Sequence, residues 1–578
     1  MPVHRFARQW RLLGAAIGLS ILLGWAAGCH SDPQTAVILD VFDLVERYYV
    51  EKVDPREITA NALAGLVDHL KKDVQIEVQT EKIKEFLRAR DRGEDVTPPV
   101  MEETEDASPT PIPTPFDDVK VTVAPTHLRI EGGGQIFDRD LPADKRALAR
   151  VLLDGVAFCR SALRLKQSPE ELQQMALDSM LYKLDPHSGF LELTDYKQLK
   201  QETEGSFGGV GIEISMVGGF LTIVSPLEGA PAQQQGLRSK DRITAIDHLE
   251  TIGQTIDWAV KRIRGKIGTT VVLTIRRPGE DKTFDVTLAR TRIEAIAIKS
   301  KLLPGRIGHV RVIQFNARTA DDLEKALREF SAAPGGLRAL ILDLRNDPGG
   351  LLDQAVAVTD KFLTGGLIVN TIGRGSLEER ERYASSRGAW TRVPLVVLVN
   401  NGSASASEIV AGALKDHQRG LVVGWQTFGK GSVQSIFELR NEAGLRLTTA
   451  MYYTPSGESI QAHGITPHIR FDSDDPDRDL YSEAKLEGHI DNSNKRPAQQ
   501  PLLEVNAKNL YDHYLAKGLI KSDAEAFSDD ADFLLVFVRK LLDEATDFSI
   551  GGLTAQAQAM LDKVPGAFEP AAPAAAKK

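Results

Sequence analysis

The stretch Leu395-Val396-Val397-Leu398-Val399-Asn400-Asn401-Gly402-Ser403-Ala404-Ser405-Ala406-Ser407-Glu408 decides how the rest of the chain is read. Its five leading apolar residues have the composition of a strand buried on both faces. They enter a bend of small residues, and residues 407–414 then carry a helical pattern. Strand, tight turn, helix is the geometry that presents a nucleophile at a helix N-terminus. Small neighbours admit a substrate backbone, and amides at the helix start can hold a developing oxyanion. The same residues have a plainer use, because Ser405-x-x-Glu408 is also a capping box. Spacing alone does not choose among Ser403, Ser405 and Ser407.

On both sides of this stretch strands alternate with helices. Residues 307–315, 339–344 and 445–453 read as strands and 320–330 as a helix, which makes about 293–472 an α/β layer fold. Upstream, 201–292 has a different texture of short strands and glycine turns. It opens at Gly208-Gly209-Val210-Gly211-Ile212-Glu213-Ile214, and a helix at 255–264 precedes a strand at 270–276. A glycine run of this kind leaves backbone amides open to a ligand.

Residues 30–200 read as a helical N-terminal region. Ile38, Val41, Phe42, Val45 and Tyr48 recur at helical spacing. Val53-Asp54-Pro55 breaks that helix, and a second is expected at 58–70. A third is expected at 143–165, and Ser168-Pro169-Glu170-Glu171 starts a fourth with a capping box. An acidic, proline-rich loop is assigned to 88–125, because residues 101–118 hold six acids, four prolines and no Lys or Arg. Residues 473–578 read as a C-terminal extension, with a helix at 533–542 and an Ala/Pro/Lys-rich end.

The chain has 578 residues, which at about 150 per domain suggests three or four units. With 42% hydrophobic and 26% charged residues it is neither a disordered chain, a collagen nor a polytopic membrane protein. A net charge of −10 argues against nucleic acid as a partner. Two cysteines, Cys29 and Cys159, build neither a disulfide framework nor a Cys-rich zinc site. The twelve histidines contain no H-E-x-x-H pair, so neither metal nor cofactor is expected.

Residues 1–29 have a basic head (His4, Arg5, Arg8, Arg11) and an apolar run ending in Ala26-Ala27-Gly28-Cys29. This is an export signal. Its end resembles the bacterial lipoprotein box, with Ala26 where a leucine is usual. The resemblance implies lipidation of Cys29; the other reading is an uncleaved anchor. Both put the chain in a bacterial envelope, on the periplasmic side and tethered to a membrane.

Two further loops carry chemistry. Gly424-Trp425-Gln426-Thr427-Phe428-Gly429-Lys430-Gly431 nearly matches a phosphate-binding loop, but Gly431 replaces the hydroxyl residue and a strand rather than a helix follows. A desolvated lysine there would be a neutral amine able to take a serine proton. Asp343-Leu344-Arg345-Asn346-Asp347-Pro348-Gly349-Gly350 follows a buried strand and offers glycine amides at its C-terminal end.

The unit at 201–292 resembles a PDZ domain. With Leu184-Asp185-Pro186-His187-Ser188, the loop 343–350, the turn 402–408 and the loop 427–434, it gives the chain the look of the carboxyl-terminal processing proteases. That resemblance implies a serine protease core of the ClpP/crotonase type at 293–472. It makes Ser405 the nucleophile, Lys430 the general base and Gln434 the residue that orients the lysine. It implies an oxyanion hole from the amides of Gly350 and Ala406. It further implies that Gly209, Val210, Gly211 and Ile212 capture a peptide C-terminus. Unfolded or tail-exposed polypeptides are the expected substrates, with an adaptor protein and self-association as further expected partners. Two departures stand out: Trp425 replaces a usual acid, and 71–142 looks inserted. The competing reading is an inactive, membrane-tethered PDZ scaffold that binds protein C-termini.

Overall fold

The computed structural model describes residues 32–91, 118–280, 282–374, 380–385, 388–472, 482–491, 500–521 and 532–567. The segment read above as an export signal, with Cys29, and 92–117 of the acidic stretch lie outside these residues.

The described residues open with helix α1 (Pro33–Tyr48), which buries Ile38, Val41, Phe42 and Val45. Helix α2 (Pro55–Asp91) runs well beyond the expected 58–70. An antiparallel meander follows: β1 (Lys120–Ala124), β2 (His127–Gly132) and β3 (Gln135–Asp140). The region is therefore not purely helical, and the loop assigned to 88–125 loses both its ends, 88–91 to α2 and 120–124 to β1. Two signals for the meander were present in the sequence. Strand β2 alternates buried and half-buried residues, and Gly133-Gly134, with φ of 58° and 73°, makes the left-handed turn that hairpins prefer. Helices α3 (Lys145–Ala162) and α4 (Pro169–Tyr182) complete this layer. The expected capping box is present, with Ser168 N–H donating to Glu171 at 2.7 Å and Glu171 N–H to the Ser168 hydroxyl at 3.1 Å. Cys159 is a buried free thiol on α3.

Strand β4 (Gly189–Leu191) and helix α5 (Leu193–Glu204) lead into the glycine-rich unit. Its strands are β5 (Ser206–Gly209), β6 (Ile212–Val217), β7 (Phe220–Pro226), β8 (Arg242–Ile246), β9 (Leu249–Glu250), β10 (Thr270–Arg276), β11 (Phe284–Ala289) and β12 (Thr291–Glu294). Helices α6 (Pro231–Gln234) and α7 (Ile256–Ile263) pack on them. The main sheet runs β11-β10-β8-β7-β6, with β9 beside β8, so β6 is an edge strand, and β12 returns to pair with β5.

The remainder is built on a seven-stranded sheet: β13 (Ile298–Leu303), β14 (Ile307–Val312), β15 (Ala339–Asp343), β18 (Leu395–Val399), β19 (Leu421–Gly424), β22 (Ile469–Phe471) and β23 (Leu503–Val505), in that order. All but the first pairing are parallel. Helices α8 (Thr319–Ala332), α9 (Leu352–Asp360) and α10 (Ala406–Asp416) cover one face. Helices α11 (Ala507–Ala516), α12 (Phe533–Glu544) and α13 (Ile550–Leu561) of the C-terminal extension cover the other. Strand β18 shows why it reads as an unbroken apolar run. Val397 and Val399 face α8–α10, while Val396 and Leu398 face the extension. Each such side chain contributes about 1.5–3 kcal/mol on burial. A second sheet, β17 (Arg380–Tyr383), β16 (Leu367–Gly373), β21 (Gly444–Tyr453) and β20 (Ser432–Glu438), also takes β4 along β21. Leu445 and Leu447 of β21 belong to the core of α1–α4, which docks the N-terminal layer against this second sheet.

Candidate active site

Ser405 sits at the C-terminal end of β18, directly before α10. Its backbone, at φ 55° and ψ −111°, lies where a residue with a Cβ is rarely found. Such strain costs about 1–3 kcal/mol and persists only when the surroundings over-determine it. Here they do. Ala404 N–H donates to the Asp347 carbonyl at 3.0 Å, and Phe428 N–H to the Ser403 carbonyl at 3.1 Å. Ser403 donates its hydroxyl to the Leu344 carbonyl at 2.8 Å, and Ser407 donates its own to the Asp347 carbonyl at 3.0 Å. Both neighbouring serines are thus wholly buried and committed to backbone, while Ser405 keeps 7% exposure. The hydroxyl of the buried Tyr452 interacts with the Ser405 side chain.

The loop 343–350 lies against this bend. Gly349 has φ 98°, and a Cβ there would come within 2.8 Å of Ala406 N and 2.9 Å of Ser405 Cβ. Phe315 clamps the loop, donating its N–H to the Gly349 carbonyl at 2.8 Å and accepting the Leu351 N–H at 2.7 Å. The N–H groups of Gly350 and Ala406 donate to no acceptor among the described residues. These are two open donors beside one hydroxyl.

Glu408 joins the bend to the lysine loop, a role its spacing did not reveal. It is fully buried. Its carboxylate accepts Ser405 N–H at 2.8 Å, the Thr427 hydroxyl at 2.6 Å, Gly429 N–H at 2.7 Å and Lys430 N–H at 2.9 Å. Burial nevertheless pushes its carboxyl up to about 7, against those four donors.

Burial holds the Lys430 amine below the usual lysine range, and the Arg446 guanidinium adds to this. Glu483, Asp185 and Glu408 oppose the shift. Among the described residues the amine makes no hydrogen bond, and so none to Ser405. Gln434 does not bond it either. Its amide donates to the Ser432 hydroxyl at 3.0 Å and the Thr448 hydroxyl at 3.2 Å. Thr448 in turn donates to Asp185 at 2.9 Å. Asp185 also accepts the Ser188 hydroxyl at 2.6 Å and the N–H groups of His187 and Ser188. His187 pairs with the fully buried Glu483 at 2.7 Å, and Glu483 accepts the Gln461 amide at 2.9 Å. Gln461 holds Gly431 N–H at 3.0 Å. Residues from 185 and 483, far apart in sequence, thus wrap one lysine loop.

Trp425 stands at the start of that loop. It packs against Phe471 and Phe533 at 5.6 and 6.0 Å between ring centroids and donates its indole N–H to the Asp472 carbonyl at 3.1 Å. It lines a cavity of about 890 Å³ with Phe428, His463 and Arg470. In the glycine-rich unit, Gly209, Val210, Gly211 and Ile212 line an apolar cleft of about 90 Å³ with Val260 and Ile263 of α7. Arg264 borders the cleft, stacked 4.0 Å over the Phe207 ring.

Residues 306–471 match the family model for peptidase family S41, and residues 208–288 match that for the PDZ domain. A carboxy-terminal-processing protease of Bartonella bacilliformis is 44% identical over 329 residues, 56% of this chain and 75% of the relative. A probable CtpA-like serine protease of Staphylococcus epidermidis is 35% identical over 308 residues, 53% of this chain. The match spans 61% of that relative's length. Among solved structures, the photosystem II D1 C-terminal processing protease is 29% identical, with a TM-score of 0.33, covering 56% of this chain and 92% of its own.

Proposed function

The chain belongs to the carboxy-terminal-processing proteases of peptidase family S41, serine-type peptidases with a PDZ domain, and from that premise we propose that it cleaves exported polypeptides near their C-termini with a Ser405–Lys430 dyad. One observation carries this reading. Ser405 stands on a strained bend beside two open N–H donors, and Glu408 ties that bend to a partly buried lysine whose amine burial holds below the usual lysine range.

In the proposed reaction the Lys430 amine, uncharged, takes the proton of the Ser405 hydroxyl as its oxygen attacks the scissile carbonyl. The N–H groups of Gly350 and Ala406 hold the resulting oxyanion. The lysinium returns its proton to the leaving amine, and an acyl-enzyme forms. Water, deprotonated by the same amine, then releases the acid. Gln434 acts on the lysine indirectly, through Ser432 and the Thr448–Asp185 chain. The cleft at Gly209–Ile212 takes an apolar C-terminal residue, and the substrate adds a strand along the open edge of β6. The basic, apolar N-terminus supports action outside the cytoplasm, near a membrane. An adaptor or a second copy of the chain is a further partner consistent with the large C-terminal extension.

Lys430 must shed its proton before it can act, so cleavage should rise with pH through the lowered lysine range. Ser405→Ala and Lys430→Ala, assayed on an unfolded polypeptide with an apolar C-terminus, should each lose at least about 10³ of kcat. Wild-type turnover by Ser405→Ala, or tail binding without any turnover by the native protein, would sink the reading and leave a peptide-binding scaffold.

A further inference from the structure

Asp347 is a buried carboxyl that the reaction above leaves unused. It lies in the loop between β15 and Gly350, and none of its surface is exposed. Its Oδ1 accepts Gly349 N–H at 2.9 Å. Its main-chain carbonyl accepts Ala404 N–H and the Ser407 hydroxyl, each at 3.0 Å. A single residue therefore holds both the segment that carries Gly350 and the bend that carries Ser405.

The other carboxyl oxygen, Oδ2, is buried and has no hydrogen-bond partner. An ionised carboxylate in that position would be a charge out of water with one oxygen unmet, whereas a neutral acid costs far less. Among the described residues no cation pairs with it. Arg345, two residues away, is committed to Asp343 and Asp532. On α10, Glu408 is occupied by Ser405, Thr427, Gly429 and Lys430. The charged groups that act on Lys430 across the site are Arg446, Glu483, Asp185 and Glu408, and Asp347 is not one of them. Burial pushes the Asp347 carboxyl up to about 8, opposed by the hydrogen bond from Gly349 N–H.

We propose that Asp347 is a positioning residue that works as the neutral acid. It keeps the two halves of the oxyanion pocket in register, and its ionisation at alkaline pH closes the pocket to the transition state. A negative charge one hydrogen bond from Gly349 N–H disfavours the negative charge that must develop at Gly350 N–H. The inference rests on the Ser405–Lys430 reading and adds a second limb to its pH profile. Loss of the Lys430 proton raises the rate, and loss of the Asp347 proton lowers it.

The test is the kcat–pH profile of the full-length protein and its Asp347→Asn variant on the same unfolded substrate. Asparagine keeps an acceptor for Gly349 N–H and cannot ionise. The wild type should show a falling alkaline limb that Asp347→Asn lacks, while the variant loses less than about tenfold in kcat at neutral pH. Asp347→Ala, which removes the acceptor, should lose more kcat than Asp347→Asn with KM little changed. A wild type with no falling limb, a limb that persists in Asp347→Asn, or a folded Asp347→Asn without activity each overturns the proposal. If Asp347→Asn does not fold, infrared titration of the wild type decides. A protonated-carboxyl band that fades in step with the alkaline loss supports the role, and its absence at neutral pH ends it. Ser405→Ala tests the dyad separately, since its retained activity would remove the dyad whatever Asp347 does.

Discussion

Glu408 shows how much one side chain can do at the residue scale. Its four donors come from two loops, so it sets the distance between the serine bend and the lysine loop. Glu408→Gln has the same shape but offers only one acceptor oxygen, and its amide must face N–H groups. We expect a stability loss of about 1–3 kcal/mol in urea unfolding, together with a fall in kcat that exceeds any change in KM. An unchanged kcat would mean that the two loops hold their spacing without it. Asp347 carries a stability signature at the same scale. Its carboxyl is raised in the folded protein, so the folded state keeps a proton that the unfolded chain loses in the ordinary range, about 3.9. Its contribution to stability is therefore greatest below that range and declines as pH rises to about 8. Asp347→Asn should lack that component of the decline in thermal unfolding across the same range.

Among the elements, the junction between β15 and the extension helix α12 carries a buried ion network. Arg345, just past β15, makes paired hydrogen bonds to Asp343 at 2.8 and 2.6 Å and to Asp532 at 3.0 and 2.6 Å. Asp532 is also the N-cap of α12, accepting Leu535 N–H at 3.0 Å. Burial works against the Asp343 carboxylate, but the Arg345 guanidinium beside it holds it well below the usual range. Removing one member of a buried ion network costs more than the network contributes, because the others stay buried and unpaired. Arg345→Ala should lose about 3–5 kcal/mol in denaturant unfolding, and amides in α12 should exchange faster. Stability within about 0.5 kcal/mol of wild type would show that the extension is held by its apolar face alone.

For the whole molecule, the arrangement to explain is a PDZ domain with an edge strand and an S41 peptidase core on one chain. Strand β6 has a free edge, and the amides of Gly209–Gly211 stand at its start. If those amides capture a terminal carboxylate, amidation of the substrate tail removes a charge-assisted hydrogen bond worth about 1.5–3 kcal/mol. Binding of an amidated apolar peptide, measured by calorimetry, should be weaker by about tenfold or more than that of the free acid. Equal affinities would mean that the cleft reads side chains only.

Much of this protein follows from local pattern alone. The apolar run 395–399, the small-residue bend after it and the glycine-flanked Lys430 were legible because burial, chain reversal and close backbone approach each demand particular residue types at short range. The PDZ-like unit and the capping box at Ser168 were legible for the same reason. The β1–β3 meander went unseen beneath a helical expectation, although its Gly133-Gly134 turn and alternating strand were there to read. What no local pattern could supply was pairing across the chain. Glu408 reaching residues 427–430, Asp185 and Glu483 meeting around one loop, and Asp347 left with an orphaned oxygen depend on which distant segments the packed sheets and helices bring together. Partnership and desolvation are properties of that packing, and they decide which carboxyls hold a proton more tightly, which amine holds one less tightly, and which of three serines keeps some exposure.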